Sequence, residues 1–419
     1  MSIDHLSIGD AEFWQRPLQQ RMAGFAKLRE EHGPFIPVEL PDVFGDPIPF
    51  HAVVGHAEVV EISRQPQVFC SGKGSISIQD MPAEALEFFG SFITMDDPRH
   101  ARLRAIVGRS FTPRRLEQVV ESVDSICAEL IDGICEKGEV DLVTEISAPF
   151  PLLVICDMMG IPRSEFRIVL DATNIILGAG DPEVLGGREP MGALFEAGMT
   201  LTGLMTELAE KRRSDPTDDL TSALVHANVD GESLTNEELG PFFILLAVAG
   251  NDTTRTATSL GMHFLGDHPD ERRVWQDDLA RVTPTAVEEI VRYASPVTFM
   301  RRTATQRATI AGQTFDHGDK VVLFYGAANR DPKVFDHPDT FDVRRDPNLH
   351  VGFGGPGPHF CLGAHLARRE LSIVFRQLLT RLPDIEPAGP PDFLEARTIP
   401  LVGGVKHLPV TFTPAAHAS

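Results

Sequence analysis

Apolar side chains recur along most of this chain at spacings of three and four residues, the signature of helices with one buried face. The plainest run follows Thr112-Pro113, a capping residue with proline at the first helical position. It sets Leu116, Val119, Val120, Val123, Ile126, Cys127, Leu130, Ile131 and Ile134 on one stripe before Lys137-Gly138 closes it. That stripe predicts a helix over 114–136, with Cys127 as a small buried apolar residue. A second run opens on Thr235-x-x-Glu238, a capping box, and continues to Leu265. Its first half is apolar on every side, which predicts a helix through the centre of the protein. A kink or restart is expected at Pro241, whose ring removes a backbone donor and clashes with the preceding turn. Further helices are expected over 16–31, 57–65, 99–109, 163–177, 191–213, 270–280, 284–294 and 362–381. Strand signals are few and short: Phe50–Val54, Ala308–Ile310 and Lys320–Tyr325. Strands do not alternate regularly with helices, which argues against a doubly wound fold. The expected architecture is mainly α, one large domain over 1–419 with a minor β-sheet region.

Composition narrows the function. The 419 residues are 42% hydrophobic, enough to bury a large core, and carry a net charge of −22, which repels a phosphate backbone and speaks against nucleic acid as a partner. The longest apolar run, Phe242–Ala249, is far short of the ~20 residues that span a bilayer. The opening residues lack the basic-then-apolar layout of a signal peptide. Five cysteines form no CxxC and suggest no disulfide framework. These features lead to the expectation of a soluble cytoplasmic protein with no membrane anchor.

The unusual window is His350-Val-Gly-Phe-Gly-Gly-Pro-Gly-Pro-His-Phe-Cys-Leu-Gly363. It contains GxGxxG at Gly352, Gly354 and Gly357, but Pro358 follows the third glycine and no suitable acid sits about twenty residues on, so the dinucleotide reading is poor. The glycines instead let backbone approach closely around Cys361, directly ahead of a helix whose stripe is Leu362, Leu366, Ile373, Val374, Leu378 and Leu382. A cysteine at a helix N-terminus is favoured as thiolate. No tetrad of His and Cys accompanies it, which makes zinc a poor fit, and a single thiolate suits an axial haem ligand. Cys70, Cys127, Cys135 and Cys156 read as buried free thiols.

This window, with Gly357-x-His359-x-Cys361-x-Gly363 and the AlaHisLeuAlaArgArgGlu after it, resembles the cysteine loop of the cytochrome P450 family, the haem-thiolate monooxygenases. The family usually has phenylalanine seven residues before the cysteine. Here that position is Gly354, Phe353 lies one further back, and the loop carries one extra residue. The resemblance implies a triangular-prism fold, haem b (iron protoporphyrin IX) as cofactor, Cys361 as the iron ligand, and O₂ with two electrons and two protons as co-reactants. Ala249-Gly250-Asn251-Asp252-Thr253-Thr254 resembles the family's oxygen-activation motif. There Ala249 and Gly250 would leave room for O₂, and Asp252 with Thr253 would relay protons. A polar cluster in a buried apolar helix is costly without partners, and back-bonding of one threonine to its own helix does not explain the whole cluster. Glu289-x-x-Arg292, with Arg345 in Phe335-x-x-Pro338-x-x-Phe341-Asp342-x-x-Arg345, matches the family's structural ion pair. Alone, an i, i+3 Glu/Arg pair is a common solvated helix feature. The resemblance further assigns His100, Arg104, Arg302 and His359 to the haem propionates, with Phe353 and Gly363 beside the cofactor.

The same resemblance locates a substrate chamber lined by Phe88, Phe89, Phe92, Ile93, Leu246, Val248, Val297, Phe299, Met300, Leu401 and Val402. That set is apolar and favours a lipid, terpenoid or steroid. PheIleThrMetAspAspProArgHis, IleCysAspMetMetGlyIlePro and the closing GlyGlyValLysHisLeuProVal are similar to the bacterial branch that hydroxylates methyl-branched lipids, isoprenoids and sterol side chains at a terminal (ω) methyl. Too few residues follow Arg381 for a reductase, so electrons are expected from a ferredoxin and its NAD(P)H-dependent reductase. Arg102, Arg109, Arg114, Arg115, Arg368 and Arg369 form the candidate docking patch. The competing readings are a terpenoid or steroid ring hydroxylase or a peroxygenase on the same scaffold, and a haem-binding sensor or carrier.

Overall fold

The computed structural model describes residues 7–41, 46–110, 113–178, 180–227, 234–395 and 399–415. Thr112 lies outside the described residues, as do the side chains of Arg114, Arg115 and Leu116. Among the helices, α1 (Leu18–His32), α2 (His56–Ser63), α3 (Ala83–Gly90), α4 (Arg99–Ser110) and α5 (Pro113–Asp132) form the first third of the chain. Then come α6 (Pro149–Met159), α7 (Phe166–Leu177), α8 (Pro190–Ser214), α9 (Leu220–His226) and α10 (Asn236–Asp267). Helices α11 (Pro269–Asp277), α12 (Leu279–Ala294) and α13 (Ala364–Arg381) complete the set used below. Helix α10 is capped as the sequence predicts, Thr235 and Glu238 bonding each other's backbone N–H. Its 32 residues give a length of about 48 Å at 1.5 Å per residue. The expected restart at Pro241 does not occur: the helix runs unbroken through it. Pro241 stands in the second turn, where one intrahelical bond is lost and packing of Phe242, Phe243 and Ile244 holds the turn in place.

The minor sheet has five strands, β1 (Phe35–Leu40), β2 (Ile48–Val53), β3 (Phe69–Cys70), β4 (Phe299–Ala304) and β5 (Lys320–Phe324), in the order β1-β2-β5-β4-β3. β2 and β5 run parallel and the other pairs antiparallel. Pro37 is tolerated in β1 because β1 is an edge strand. Helix α10 joins two apolar clusters. Phe242, Phe243, Ile244 and Ala247 pack with Leu103, Ile106 and Val107 of α4 and with Leu201 and Met205 of α8. Ala257, Leu260, Met262, Phe264 and Leu265 pack with Ile290, Phe375 and Leu378 of α12 and α13. Between these clusters α10 carries the polar stretch 249–256. Among the described residues no helix is long and apolar enough to cross a membrane.

Candidate active site

The cysteine loop is shaped by where side chains would not fit. A Cβ on Gly357 would come within 2.2 Å of the Ser63 carbonyl oxygen at the end of α2, so only glycine lets the loop lie there. Gly354 has φ +87°, a left-handed conformation, and absorbs the extra residue as a bulge. Beyond it the Cys361 N–H donates to the Phe353 carbonyl at 3.0 Å, which brings Phe353 beside the cysteine despite the longer loop. The Phe353 ring packs against Arg368, whose guanidinium carbon is 4.3 Å from the ring centroid, and against His350 at 5.7 Å. Both partners are held by Glu288, which accepts from Arg368 at 2.5 and 2.9 Å and contacts His350 Nε2 at 2.9 Å. Burial alone would raise that carboxyl, but hydrogen bonds from His350 and Arg368 bring it down to about 2.

Gly363 is the N-cap of α13, two residues past Cys361, so the helix starts slightly later than its stripe suggests. Cys361 is the one exposed cysteine of the five. Its thiol nonetheless lies deep enough that burial pushes its pKa up, opposed by the Gly363 N–H, Arg104 and Arg368. The two facts agree if Cys361 faces an internal cleft. Burial thus opposes the helix N-terminus at this sulfur, and a cation bound there would favour the anionic form.

Four basic side chains converge beside this loop. The rings of His100 and His359 are 4.2 Å apart, and Arg104 Nη2 donates to the Phe360 carbonyl at 2.6 Å. Arg302 is buried on β4, and its guanidinium donates only to the neighbouring Arg301 carbonyl. Burial, then Arg302, His100 and Arg104, push His359 down to about 2. Buried His100 has no partner for Nε2, while its Nδ1 is 3.4 Å from Asp97. Two guanidinium charges beside two imidazoles, one with an unpartnered buried nitrogen among the described residues, suit an anion at this place. The two carboxylates of an iron porphyrin, above a single thiol, match that demand.

On α10 one narrow face opens where the rest is buried: Ala249 is exposed and Thr253, one turn on, is half-buried. Gly250 beside it is also half-buried; a Cβ there would meet Ile155 Cδ1 of α6 at 2.8 Å, so its smallness also serves the crossing of α6 and α10. Thr253 Oγ1 donates to the Ala249 carbonyl at 2.8 Å. Asp252 is buried with Oδ1 unpartnered, and burial pushes its carboxyl up, opposed by Arg255, so it is biased toward holding a proton. Asn251 is fully buried with neither amide atom bonded. Thr254 donates to Glu370 of α13 at 3.1 Å, and burial pushes Glu370 up to about 8 against the lowering from that bond.

Glu289, Arg292 and Arg345 form a buried network. Glu289 accepts from Arg292 Nε and Nη2 at 2.8 Å each and from Arg345 Nε at 3.1 Å. The Arg292 guanidinium also donates to the carbonyls of Asn329, Pro338 and Thr340 at 2.9, 2.8 and 3.0 Å. With Glu289 and Arg292 both at 0% exposure, this is no solvated i, i+3 pair, and removing one partner would cost about 3–5 kcal/mol.

The expected chamber residues separate. Phe299 points away, buried with Phe324, Trp14 and Phe25 on the far side of β4, so it does not line a chamber on the face of Met300. Phe92 is buried against Phe242 at 6.2 Å. Phe88 packs outward on Gly198 and on the exposed ring of Phe195. Phe89, Ile93, Leu246, Val248, Val297, Met300, Leu401 and Val402 are half-buried, and Val297 and Val402 pair in an isolated β-bridge. Sequence reasoning passed over Glu288 and Glu370. The signal for Glu370 was present, a carboxylate on the apolar stripe of α13 between Leu366 and Ile373–Val374.

A fold built on one long central helix, with an exposed cysteine next to a cluster of arginines and histidines, is that of a haem-thiolate enzyme, and the comparisons agree. The cytochrome P450 family profile matches residues 188–383. A methyl-branched lipid omega-hydroxylase of Mycobacterium tuberculosis is 43% identical over 417 residues, 98% of this chain and 95% of that protein. A steroid C26-monooxygenase of Mycolicibacterium smegmatis is 36% identical over 380 residues, 90% of this chain and 86% of that protein. A Mycobacterium marinum cytochrome P450 solved in complex with pseudoionone superposes with a TM-score of 0.89 at 40% identity, covering 97% of this chain and 98% of that one. The chain belongs to the cytochrome P450 family. It is a monooxygenase whose prosthetic group is iron protoporphyrin IX.

Proposed function

We propose that this enzyme hydroxylates the terminal methyl of a methyl-branched lipid, isoprenoid or sterol side chain: RH + O₂ + two electrons + two protons give ROH and water. The observation that carries this reading is the 43% identity to a methyl-branched lipid omega-hydroxylase over 98% of the chain. Cys361 would hold the iron as its thiolate ligand, and Arg104 and Arg302 would neutralise the propionates, with His100 and His359 as hydrogen-bond donors to them. The haem supplies oxygen activation; this chain's own residues bind, orient and manage protons. Asp252, biased toward its protonated form, is the proton donor of this site, and the Thr253 hydroxyl, whose own proton goes to Ala249, accepts from and orients a donor beside it. The half-buried apolar residues Phe89, Ile93, Leu246, Val248, Val297, Met300, Leu401 and Val402 hold the chain end-on. That presentation is what a terminal methyl needs, because its C–H bonds are stronger than the secondary and tertiary ones beside it. Electrons come from a ferredoxin and its NAD(P)H-dependent reductase in the cytoplasm.

Product analysis tests the assignment. Holoenzyme with ferredoxin and reductase is given a fatty acid ending in an isopropyl group, its straight-chain counterpart and a sterol. The expected main product carries hydroxyl on a terminal methyl of the branched substrate. Hydroxylation chiefly at the tertiary carbon, or turnover confined to polar molecules, would overturn it.

A further inference from the structure

Arg21 on α1 is an internal cation that the chemistry above does not use. It is 5% exposed, and its Nε has no hydrogen-bond partner. Among the described residues no acidic group offsets its burial, which pushes the guanidinium down to about 10 and leaves it charged at neutral pH. The guanidinium carbon lies 5.8 Å from the ring centroids of both Trp14 and Phe393, so the cation is flanked by two aromatic rings. The cavity it lines holds about 30 Å³, and the buried hydroxyl of Thr256, on α10, lines it too, likewise unpartnered. A second, larger cleft of about 840 Å³ shares Trp14, Leu18, Leu260 and Phe393 with that cavity and adds Phe264 and Leu394.

An uncompensated buried guanidinium is costly, and such groups persist where an anion completes them. The planar fork fits a carboxylate, which it can engage through two parallel bonds. The small cavity has room for a head group and no more, while the cleft has the size for a tail and offers it Leu18, Leu260, Phe264 and Leu394, with Gln15, Arg16, Gln19 and His263 on the same lining. Asp267, Asp392 and Glu395 stand on the cleft and disfavour small free anions and polyanions. Asp392 is 3.6 Å from Lys406, and Asp267 is 3.4 Å from His263. Pro296, Thr298 and Gly403, which flank the Val297–Val402 bridge, line the Arg21 cavity. Side chains alternate along extended segments, so this cavity lies behind the wall formed by Val297 and Val402.

We propose that Arg21, with Thr256, forms an accessory site for a single-chain apolar carboxylate, the head at Arg21 and the tail in the cleft between α1 and the Pro390–Glu395 segment. The test uses holoenzyme saturated with phenylimidazole, which occupies the haem chamber, and radiolabelled laurate in equilibrium dialysis. Wild type is expected to bind one laurate under these conditions, at least about tenfold more tightly than methyl laurate, the margin expected of a charge-assisted pair. Arg21→Met should lose that binding by about tenfold or more, and Arg21→Lys should recover part of it. Arg21→Met should unfold no earlier than wild type in the absence of laurate, because it removes an unpaired buried charge. Laurate should raise the unfolding temperature of wild type alone. If Arg21→Met does not accumulate as folded holoenzyme, the acid-against-ester comparison on wild type decides. Absence of laurate binding to the phenylimidazole-saturated enzyme, equal affinity for acid and ester, or unchanged affinity in Arg21→Met would each overturn the proposal. Because the chamber is blocked throughout, these outcomes are independent of which substrate the haem site accepts.

Discussion

Thr253 has one hydroxyl proton, and the helix uses it: Oγ1 donates to the Ala249 carbonyl at 2.8 Å. What remains toward the exposed face is acceptor capacity, so the side chain orients a donor rather than giving up a proton. Asp252, next along the helix, is the group biased toward holding one. Its carboxylate is within 3.5 Å of where a Gly404 Cβ would stand, so the backbone of the C-terminal segment covers it from the side. Thr253→Ala should let O₂ consumption continue while product formed per O₂ falls by about tenfold or more, and Thr253→Ser should restore it. The measurement is product against O₂ consumed. If the alanine variant stays coupled, the hydroxyl is only a back-bond that relaxes its own helix.

Helix α10 meets α13 through Thr254 and Glu370, a carboxyl with burial lifting it from 4.5 to about 8. The folded protein holds this proton more tightly than the unfolded chain does. Stability from this group is therefore undiminished below about pH 4.5 and falls as pH rises toward 8, by on the order of 5 kcal/mol. Glu370→Gln keeps an acceptor for Thr254 without the ionisation. Its unfolding temperature should gain on wild type steadily between about pH 5 and pH 8, and parallel curves would refute the assignment. Periodicity made most such helices legible: the stripe over 191–213 became Pro190–Ser214, and Thr235-x-x-Glu238 capped α10 as read. Legibility failed where burial was two-sided or locally polar. β4 hid behind Arg301 and Arg302, both buried, and β1 behind Pro37. α6 was obscured by Pro149 and Pro151 and by apolar residues on every side. At the site, Cys361 and the Glu289–Arg292 pair were visible as motifs. The clamp of Glu288 on Arg368 and His350 was not, because its three members come from three separate segments.

On the ferredoxin reading proposed above, a chain of net charge −22 repels an acidic electron donor at long range, and productive approach would depend on local exceptions near the cysteine loop. Two of the candidate arginines are already engaged. Arg102 pairs with Glu238 at 2.8 Å, and Arg368 is held by Glu288. Arg109 and Arg369 are exposed on α4 and α13, the helices that carry Arg104 and follow Cys361, and among the described side chains of the patch they are the ones placed to meet a partner. An exposed charge contributes little to stability, so reversing it should leave the fold intact and act on encounter. Arg369→Glu should lower the second-order rate of reduction by ferredoxin about tenfold at low ionic strength. The gap from wild type should close as salt shortens the Debye length from about 30 Å at 0.01 M to about 3 Å at 1 M. Stopped-flow reduction under carbon monoxide reads this directly, with the substrate-induced change of the haem spectrum as a control that should not move. Arg368→Gln should behave differently: freeing Glu288 loosens the Phe353 side of the loop, so its effect should survive high salt and alter the haem spectrum. If Arg369→Glu reduces at the wild-type rate at every salt concentration, the donor approaches from elsewhere, and the acidic surface is not crossed at this point.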